Sequence, residues 1–164
     1  MELDRVGTHV GGEVSMGENI GDAFRRRMLI VAGVSGALAV LIGAFGAHGL
    51  PDRLADLGVD AETTVRRLAQ FDTGARYHLA HAIVLLVIAT LPVLPNAALK
   101  WSAGLLVAGT VFFSGSLYVL VLTNTPWLGA ITPIGGGCWI IAWTSLAFLR
   151  PTPTPMSGSG SDDQ

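Results

Sequence analysis

The stretch MLIVAGVSGALAVLIGAFGA, residues 28–47, decides the fold: twenty consecutive residues carry no Asp, Glu, Lys or Arg. That length matches the ~20 apolar residues an α-helix needs to cross a hydrocarbon core of roughly 30 Å. Three more uncharged stretches follow, at residues 77–94, 101–122 and 128–149. Together the four hold half the chain, yet all 10 Lys and Arg and all 12 Asp and Glu lie outside them. Backbone groups at membrane depth must be satisfied within the segment that carries them. The expected fold is therefore all-α, a four-span antiparallel transmembrane helix bundle with a polar, partly helical loop between spans one and two.

Composition supports this reading. Of the 164 residues 51% are hydrophobic and only 13% charged, with a mean hydropathy of +0.55, too apolar for an ordinary soluble domain. A net charge of -2 supplies no basic field for nucleic acid, which is not expected as a partner. The single cysteine, Cys138, lies inside the fourth stretch and reads as a small packing group. Residues 1–27 read as a disordered polar tail without the pattern of a secretory signal, and Met16 or Met28 would serve as alternative starts. Residues 150–164, opening on the PTPTP run, read as a second disordered tail.

Within span one, Ser35, Ala39, Gly43 and Ala47 recur every four positions, a flat row on which another helix can approach closely; Gly33 with Ala37 and Ala32 with Gly36 repeat the spacing. Packing within the monomer is the simpler use of such a row, and a dimer seam the other. In the polar loop, residues 51–57 predict a short helix with Leu50, Leu54 and Leu57 on one side. Asp60 is a predicted N-cap of a second helical piece that runs into span two, with Val65, Leu68 and Phe71 turned toward the membrane or bundle and Arg66 and Arg67 toward water; a solvated loop is the alternative. Asp72 and Arg76 have i,i+4 spacing for an ion pair.

Span two carries His78 and His81 in its first turns, and Pro92 and Pro95 end it. Lys100 and Trp101 anchor the start of span three, where Thr110, Ser114 and Tyr118 form a polar stripe expected to face protein. Span four opens with Thr132 as N-cap before Pro133, and Gly135 and Gly136 permit close backbone approach. Arg25, Arg26, Arg27, Lys100 and Arg150 flank one side of the membrane, against Arg53, Arg66, Arg67 and Arg76 on the other. The Arg cluster beside the first span favours a bacterial cytoplasmic (inner) membrane location with both termini cytoplasmic.

The strings GAFGAHGL (43–50), FDTGARYHLAHA (71–82), FSGSLY (113–118) and LGAITPIGG (128–136) resemble, in this order, one family: the domain of unknown function family 423, also called uncharacterised protein family 0382, whose relatives include the mitochondrial transmembrane protein 256. The resemblance covers residues 28–149 and implies a small four-span membrane protein with no established activity.

In an up-down bundle the end of span one, the start of span two, the end of span three and the start of span four share one side. A candidate polar cluster follows: His48, Arg76, Tyr77, His78, His81, Ser114, Tyr118 and Thr132. Such groups serve either as mutual caps and helix glue or as a ligand, ion or metal site. No nucleophile with its base and no complete metal signature is present, so no enzyme activity and no cofactor are assigned. The favoured function is a structural or interaction role, with the lipid bilayer and a membrane-protein partner or second copy as partners. The alternatives are a small-solute or proton pathway through the histidines and a haem or metal site on His48, His78 and His81, three residues that the bundle is expected to bring together.

Overall fold

A computed structural model describes residues 4–91 and 96–149, with side chains from Gly21 onward. Among these residues six α-helices follow one another: α1 Asp4–His48, α2 Leu50–Asp56, α3 Ala61–Thr90, α4 Ala97–Thr110, α5 Ser116–Thr123 and α6 Thr132–Leu146. A π-helical turn, Val111–Gly115, joins α4 to α5, and a 3₁₀ turn, Pro126–Ala130, precedes α6. No strand occurs among the described residues.

Among the described residues three segments are long and apolar enough to cross a membrane: Gly21–His48, Ala61–Thr90 and Ala97–Thr123. The fourth expected span, residues 128–149, is interrupted. Pro133 has no N–H and its ring opposes the carbonyl four residues back, so α6 begins only at Thr132, and its 15 residues rise about 22 Å, short of a ~30 Å core. Thr132 is not the N-cap either; Ile131 occupies that position without a side-chain bond. At the other end of the chain, α1 is helical from Asp4. Its last turns before the span join the packed unit, since Phe24 lies against the core and Arg25 Nη2 donates to the Leu91 carbonyl at 3.3 Å. A cation there meets the negative end of α3. The C-terminal tail, Pro92 and Pro95 lie outside the described residues.

The polar loop folds largely as its residues dictate. In α2, Leu50 and Leu54 are buried, whereas Leu57 is the exposed C-cap. Gly58 takes the left-handed φ of +66° that ends the helix; its N–H donates to Ala55 O and that of Val59 to Leu54 O, the paired bonds of a Schellman stop. Asp60 then caps α3, accepting the Thr63 N–H at 2.9 Å. Helix α3 runs unbroken through the predicted second span, and Arg76 pairs with Asp72 at 2.8 Å.

Helices α1 and α3 pack antiparallel: a Cβ on Gly43 would lie 4.0 Å from that of Ala75, and one on Gly36 4.0 Å from that of Ala82. The contact positions on α1 are Ala32, Gly36, Ala39, Gly43 and Gly46, alternating steps of four and three. On α3 the buried Arg67, Phe71, Gly74, His78, His81, Leu85 and Ile88 keep the same alternation. Steps averaging 3.5 residues hold a seam against a neighbouring helix, the geometry of 3-4 ridge packing. A strict four-residue row instead drifts by about 40° per step, which is why Ala47 turns outward and is exposed. Arg67 likewise departs from the position expected of it: Arg67 is 4% exposed and Val65 70%.

The α4–π–α5 segment is the middle layer, touching α3 on one side and α6 on the other, while α1 makes its extended contacts with α3 and α2. Two apolar cores result. One gathers Ala32, Leu85, Ile88, Leu106, Trp139 and Ala142; the other gathers Leu50, Leu54, Phe71, Leu120 and Val121. Lipid is as apolar as leucine, so close packing and interhelical hydrogen bonds hold such an assembly. Ser102 to Ser145 at 2.7 Å and Trp139 Nε1 to the Leu106 carbonyl at 3.2 Å are two of those bonds.

Candidate functional site

Between the two cores, the polar side chains form separate groups rather than one cluster. His78, on the buried face of α3, joins three helices: Nε2 lies 3.0 Å from Ser35 Oγ on α1 and Nδ1 lies 3.3 Å from Tyr118 Oη on α5. Since α3 starts at Ala61, His78 is 17 residues into the helix, about 26 Å from its beginning. It lies in the middle of α3, two residues beyond Arg76.

His81 faces α6. Its Nδ1 lies 2.7 Å from the Tyr77 carbonyl, which can only accept, so Nδ1 carries a proton and Nε2 of the neutral ring is the acceptor. The Trp143 indole N–H donates to that Nε2 at 3.5 Å. The ring stacks on Trp139 with centroids 3.7 Å apart and planes within 3°. Trp139 also stacks on Tyr77 and meets Phe113. The indole fits because its neighbour is Gly109; a Cβ there would overlap Trp139.

The remaining expected members stand apart. His48 is exposed at the end of α1, and Arg76 is exposed in its pair with Asp72. Gly46 faces Phe71, seven residues before His78 on α3, so the register places His48 beside the early turns of α3, about 10 Å or more along the axis from His78. The haem or metal arrangement on three histidines is not formed: among the described residues no group of three or more His, Cys, Asp or Glu could hold a metal ion. Both nitrogens of His78 and both of His81 are already in hydrogen bonds.

Thr132 bonds Ser116 at 2.9 Å instead of joining the histidines, and Ser114 is wholly buried with no hydrogen-bond partner among the described residues. The π turn explains both. One i→i+5 turn adds about one residue to the repeat, rotating α5 by roughly 100° relative to α4, so Thr110 and Tyr118 line one groove while Ser114 between them is wholly buried. Thr110 bonds its own Leu106 carbonyl. Gly135 is pressed against this turn: a Cβ would lie 2.8 Å from both Gly109 O and Phe113 Cα, whereas Gly136 has only the Phe113 ring at 3.9 Å.

Three residues of these networks are not marked as polar site members by the sequence, whose spacing places Ser35 in helix packing, Ser114 rather than Ser116 in the polar stripe, and Arg67 toward water. Arg67 Nε and Nη2 donate to Asn124 Oδ1 at 3.2 and 2.8 Å, and Nη1 to Gln70 at 3.0 Å. Asn124 takes the left-handed conformation (φ 50°) that stops α5, so the guanidinium also sits at the negative end of that helix. Counting back by four and three from His81 and His78 would have found Arg67 on the buried seam.

The family model described as protein of unknown function, DUF423, matches residues 42–136. The UPF0382 membrane protein YwdK of Bacillus subtilis (strain 168) is 43% identical over 117 residues, 70% of this chain and 88% of its own length. A UPF0382 membrane protein of Staphylococcus epidermidis is 41% identical over 120 residues, 73% and 91% respectively. One from Haemophilus influenzae is 34% identical over 124 residues, 76% and 93%. No solved structure matches the chain. The matched region contains His48, His78, His81, Tyr118 and Gly135, the residues on which the motifs turn, and with apolar helices long enough to span a bilayer the chain belongs to the DUF423 (UPF0382) family of membrane proteins.

Proposed function

We propose that the chain is an interaction module of the bacterial cytoplasmic membrane, with four crossings and both termini in the cytoplasm, that binds another membrane helix through the outer face of α1. In this reading the fourth crossing is α6 together with its 3₁₀ lead-in, and the Arg25 to Arg27 cluster sets the orientation. The observation that carries the proposal is how little α1 is held by its own chain. Only 11% of its apolar window is buried, against 39% for α3. Lipid contact alone would account for exposed Leu or Val, but the exposed face also carries Gly33, Ala37 and Ala44, and a Cβ on Gly33 would meet nothing within 4 Å. These lie on a face about 110° from the seam with α3, so packing within the chain does not use them. Small residues are enriched where membrane helices meet.

The test is disulfide and bifunctional cross-linking in native membranes from single cysteines at Ala37 or Val87 in a Cys138→Ser background. Cross-links to a second copy or to another membrane protein from Ala37, lost in Ala44→Leu, support the reading; equal and sparse cross-linking at both positions refutes it. Reporter fusions after Leu149 and at Asp56 check the topology, and termini on opposite faces would remove the fourth crossing.

A further inference from the structure

Charge is distributed unevenly around the membrane helices. No Asp or Glu occurs between residues 23 and 51 or between residues 73 and 161, yet Arg25, Arg26, Arg27 and Lys100 fall in those stretches. Arg25 donates to the Leu91 carbonyl. Arg27 and Lys100 are exposed, and among the described residues the one ion pair is that of Arg76 with Asp72. Asp22, the acid nearest to Arg27 in sequence, lies about 140° round α1 from it. Among the described residues, therefore, two cations at the border of the apolar segments have no carboxylate to neutralise them.

Register places both cations at the mouth of one feature. A groove of about 540 Å³ separates α1 from the α4–α5 segment, with Val34, Leu38 and Ile42 on one wall and Val107 and Val111 on the other. Val34, Leu38, Val107 and Val111 are exposed, so the groove opens toward lipid; Ser35, His78 and Tyr118 inside it already hydrogen-bond to one another. Farther along, Leu41, Ile42 and Phe45 of α1 meet Tyr118 and Leu122 of α5, so the two walls run parallel. Arg27 is seven residues before Val34, and Lys100 is seven before Val107. Each cation therefore sits about 20° from the wall residue of its own helix and about 10 Å nearer the same end of the groove. A Cβ on Gly104, between Lys100 and Val107, would meet nothing within 4 Å, which leaves the path from the walls to Lys100 open. Arg26 instead lies about 100° from Arg27, on the side of Gly33.

Length and charge together select the occupant. The α1 wall, from Ile30 to Ile42, covers about 18 Å, close to one leaflet of a ~30 Å core, and it begins one turn past Arg27. Walls of that length accept a hydrocarbon chain. Cations at one end accept an anion, Arg27 through its planar fork and Lys100 as a point charge. A neutral lipid would leave both cations without a counter-charge, and a small soluble anion would leave the walls empty. We propose that the groove holds a phospholipid with an anionic head group, its phosphate between Arg27 and Lys100 and an acyl chain along the walls. The preference of Lys and Arg for one side of a membrane sets a count per side; it does not set the helix face, which here turns Arg27 and Lys100 to one groove. Since both cations lie at the same end of it, the proposal holds for either orientation of the chain.

The full chain in mild detergent is titrated with palmitoyl-oleoyl phosphatidylglycerol and, separately, with the phosphatidylcholine of the same tails, and bound lipid is counted by native mass spectrometry. One phosphatidylglycerol should bind roughly thirty-fold tighter than phosphatidylcholine, the preference that two basic residues at a membrane surface supply. Arg27→Gln and Lys100→Gln should each lower that preference about five-fold, and Arg26→Gln, the same loss of charge on another face, by less than about two-fold. Val107→Trp keeps both cations and fills the groove, so it should remove the tight site. All four substitutions are at exposed positions, and circular dichroism confirms the helix content of each variant. Four results overturn the proposal: equal affinity for the two lipids, an effect of Arg26→Gln as large as that of Arg27→Gln, unchanged binding to a folded Val107→Trp variant, or displacement of the lipid by glycerol 3-phosphate, which has the anion without the tails. Because this groove and the Gly33 face are separate, failure here leaves the cross-linking result untouched, and the reverse.

Discussion

Replacing Gly135 by Ala adds one methyl group where two backbones meet. Its Cβ would lie 2.8 Å from Gly109 O and from Phe113 Cα, and nearer still to Phe113 N. Non-bonded carbons rest at about 3.5 to 4.0 Å, so α6 must move away from the π turn by roughly 1 Å. No side-chain rotation relieves this, because the opposing atoms are main chain. A shift of that size takes the Ser116 to Thr132 bond, now 2.9 Å, and the Trp139 to Leu106 bond, now 3.2 Å, out to about 4 Å, each worth about 0.6 kcal/mol in a membrane. It also weakens the contacts of Trp139 and Ala142 with Leu106 and Ala103, where a 0.5 to 1 Å gap forfeits about a quarter to a half of each contact. The sum is about 3 kcal/mol, at the upper end of ordinary overpacking. Gly137→Ala is the control: it lies two residues along the same helix, its Cβ would meet nothing within 4 Å, and alanine's helix propensity favours it by up to about 1 kcal/mol. Both variants are unfolded reversibly by titrating sodium dodecyl sulfate into mild detergent, with ellipticity as the readout. Stabilities of Gly135→Ala and Gly137→Ala within about 0.5 kcal/mol of each other would refute the backbone contact.

Ser114→Ala should match or exceed the wild type by up to about 1 kcal/mol, because it removes a buried hydroxyl that has no partner, whereas Ser116→Ala should lose about 0.6 kcal/mol with the Thr132 bond; the reverse order in the same titration would contradict the assignment of the two serines. Arg67→Met keeps the length of the side chain but strips Asn124 and the end of α5 of their donor, and should cost about 1 to 3 kcal/mol with Arg67→Lys recovering only part; an unchanged unfolding midpoint for Arg67→Met would show that the contact contributes nothing. The Thr63 backbone N–H, then its hydroxyl, holds the Asp60 carboxyl below its ordinary 3.8. A lowered folded-state value stabilises the helix start above the unfolded value and is lost as pH falls through the folded one. Protection of the Thr63 and Thr64 amides, exchange measured relative to the intrinsic rate at each pH, should therefore fall below about pH 4 in the wild type and much less in Asp60→Asn, whose cap does not titrate in that range; identical acid profiles would eliminate the charged cap.

The features legible in the sequence are those set by short-range chemistry. Residues 28–47 declare a span because no charge interrupts them, Asp60 precedes a helix whose Thr63 N–H it can reach, and Asp72 and Arg76 are one turn apart. Each of these depends on residues within one turn or on length alone. The contact seam depends on something longer. Ser35, Ala39, Gly43 and Ala47 make a regular row on paper, but two helices that pack along many turns by coiling slightly around each other stay in contact where the step averages 3.5. Ala47 falls off that line and Gly46 falls on it, where a Cβ would lie 2.7 Å from the Phe71 ring.

The histidine arrangement shows the same limit in its sharpest form. His78 and His81 differ by three residues, which puts them on one side of α3, yet the helix wedges between α1 with α5 and α6, and that side is wide enough to serve two sets of neighbours. His78 reaches Ser35 and Tyr118, while His81 reaches Tyr77, Trp139 and Trp143. The division is completed by the π turn. The turn VFFSG ends on Gly115 and lies where Gly109 and Gly135 let the indole of Trp139 and the backbone of α6 approach α4 closely. That turn rotates Tyr118 onto His78 and Ser116 onto Thr132. A side-chain pairing across the bundle thus depends on two glycines that belong to neither partner, and reading the spacing of polar residues along one helix cannot supply it.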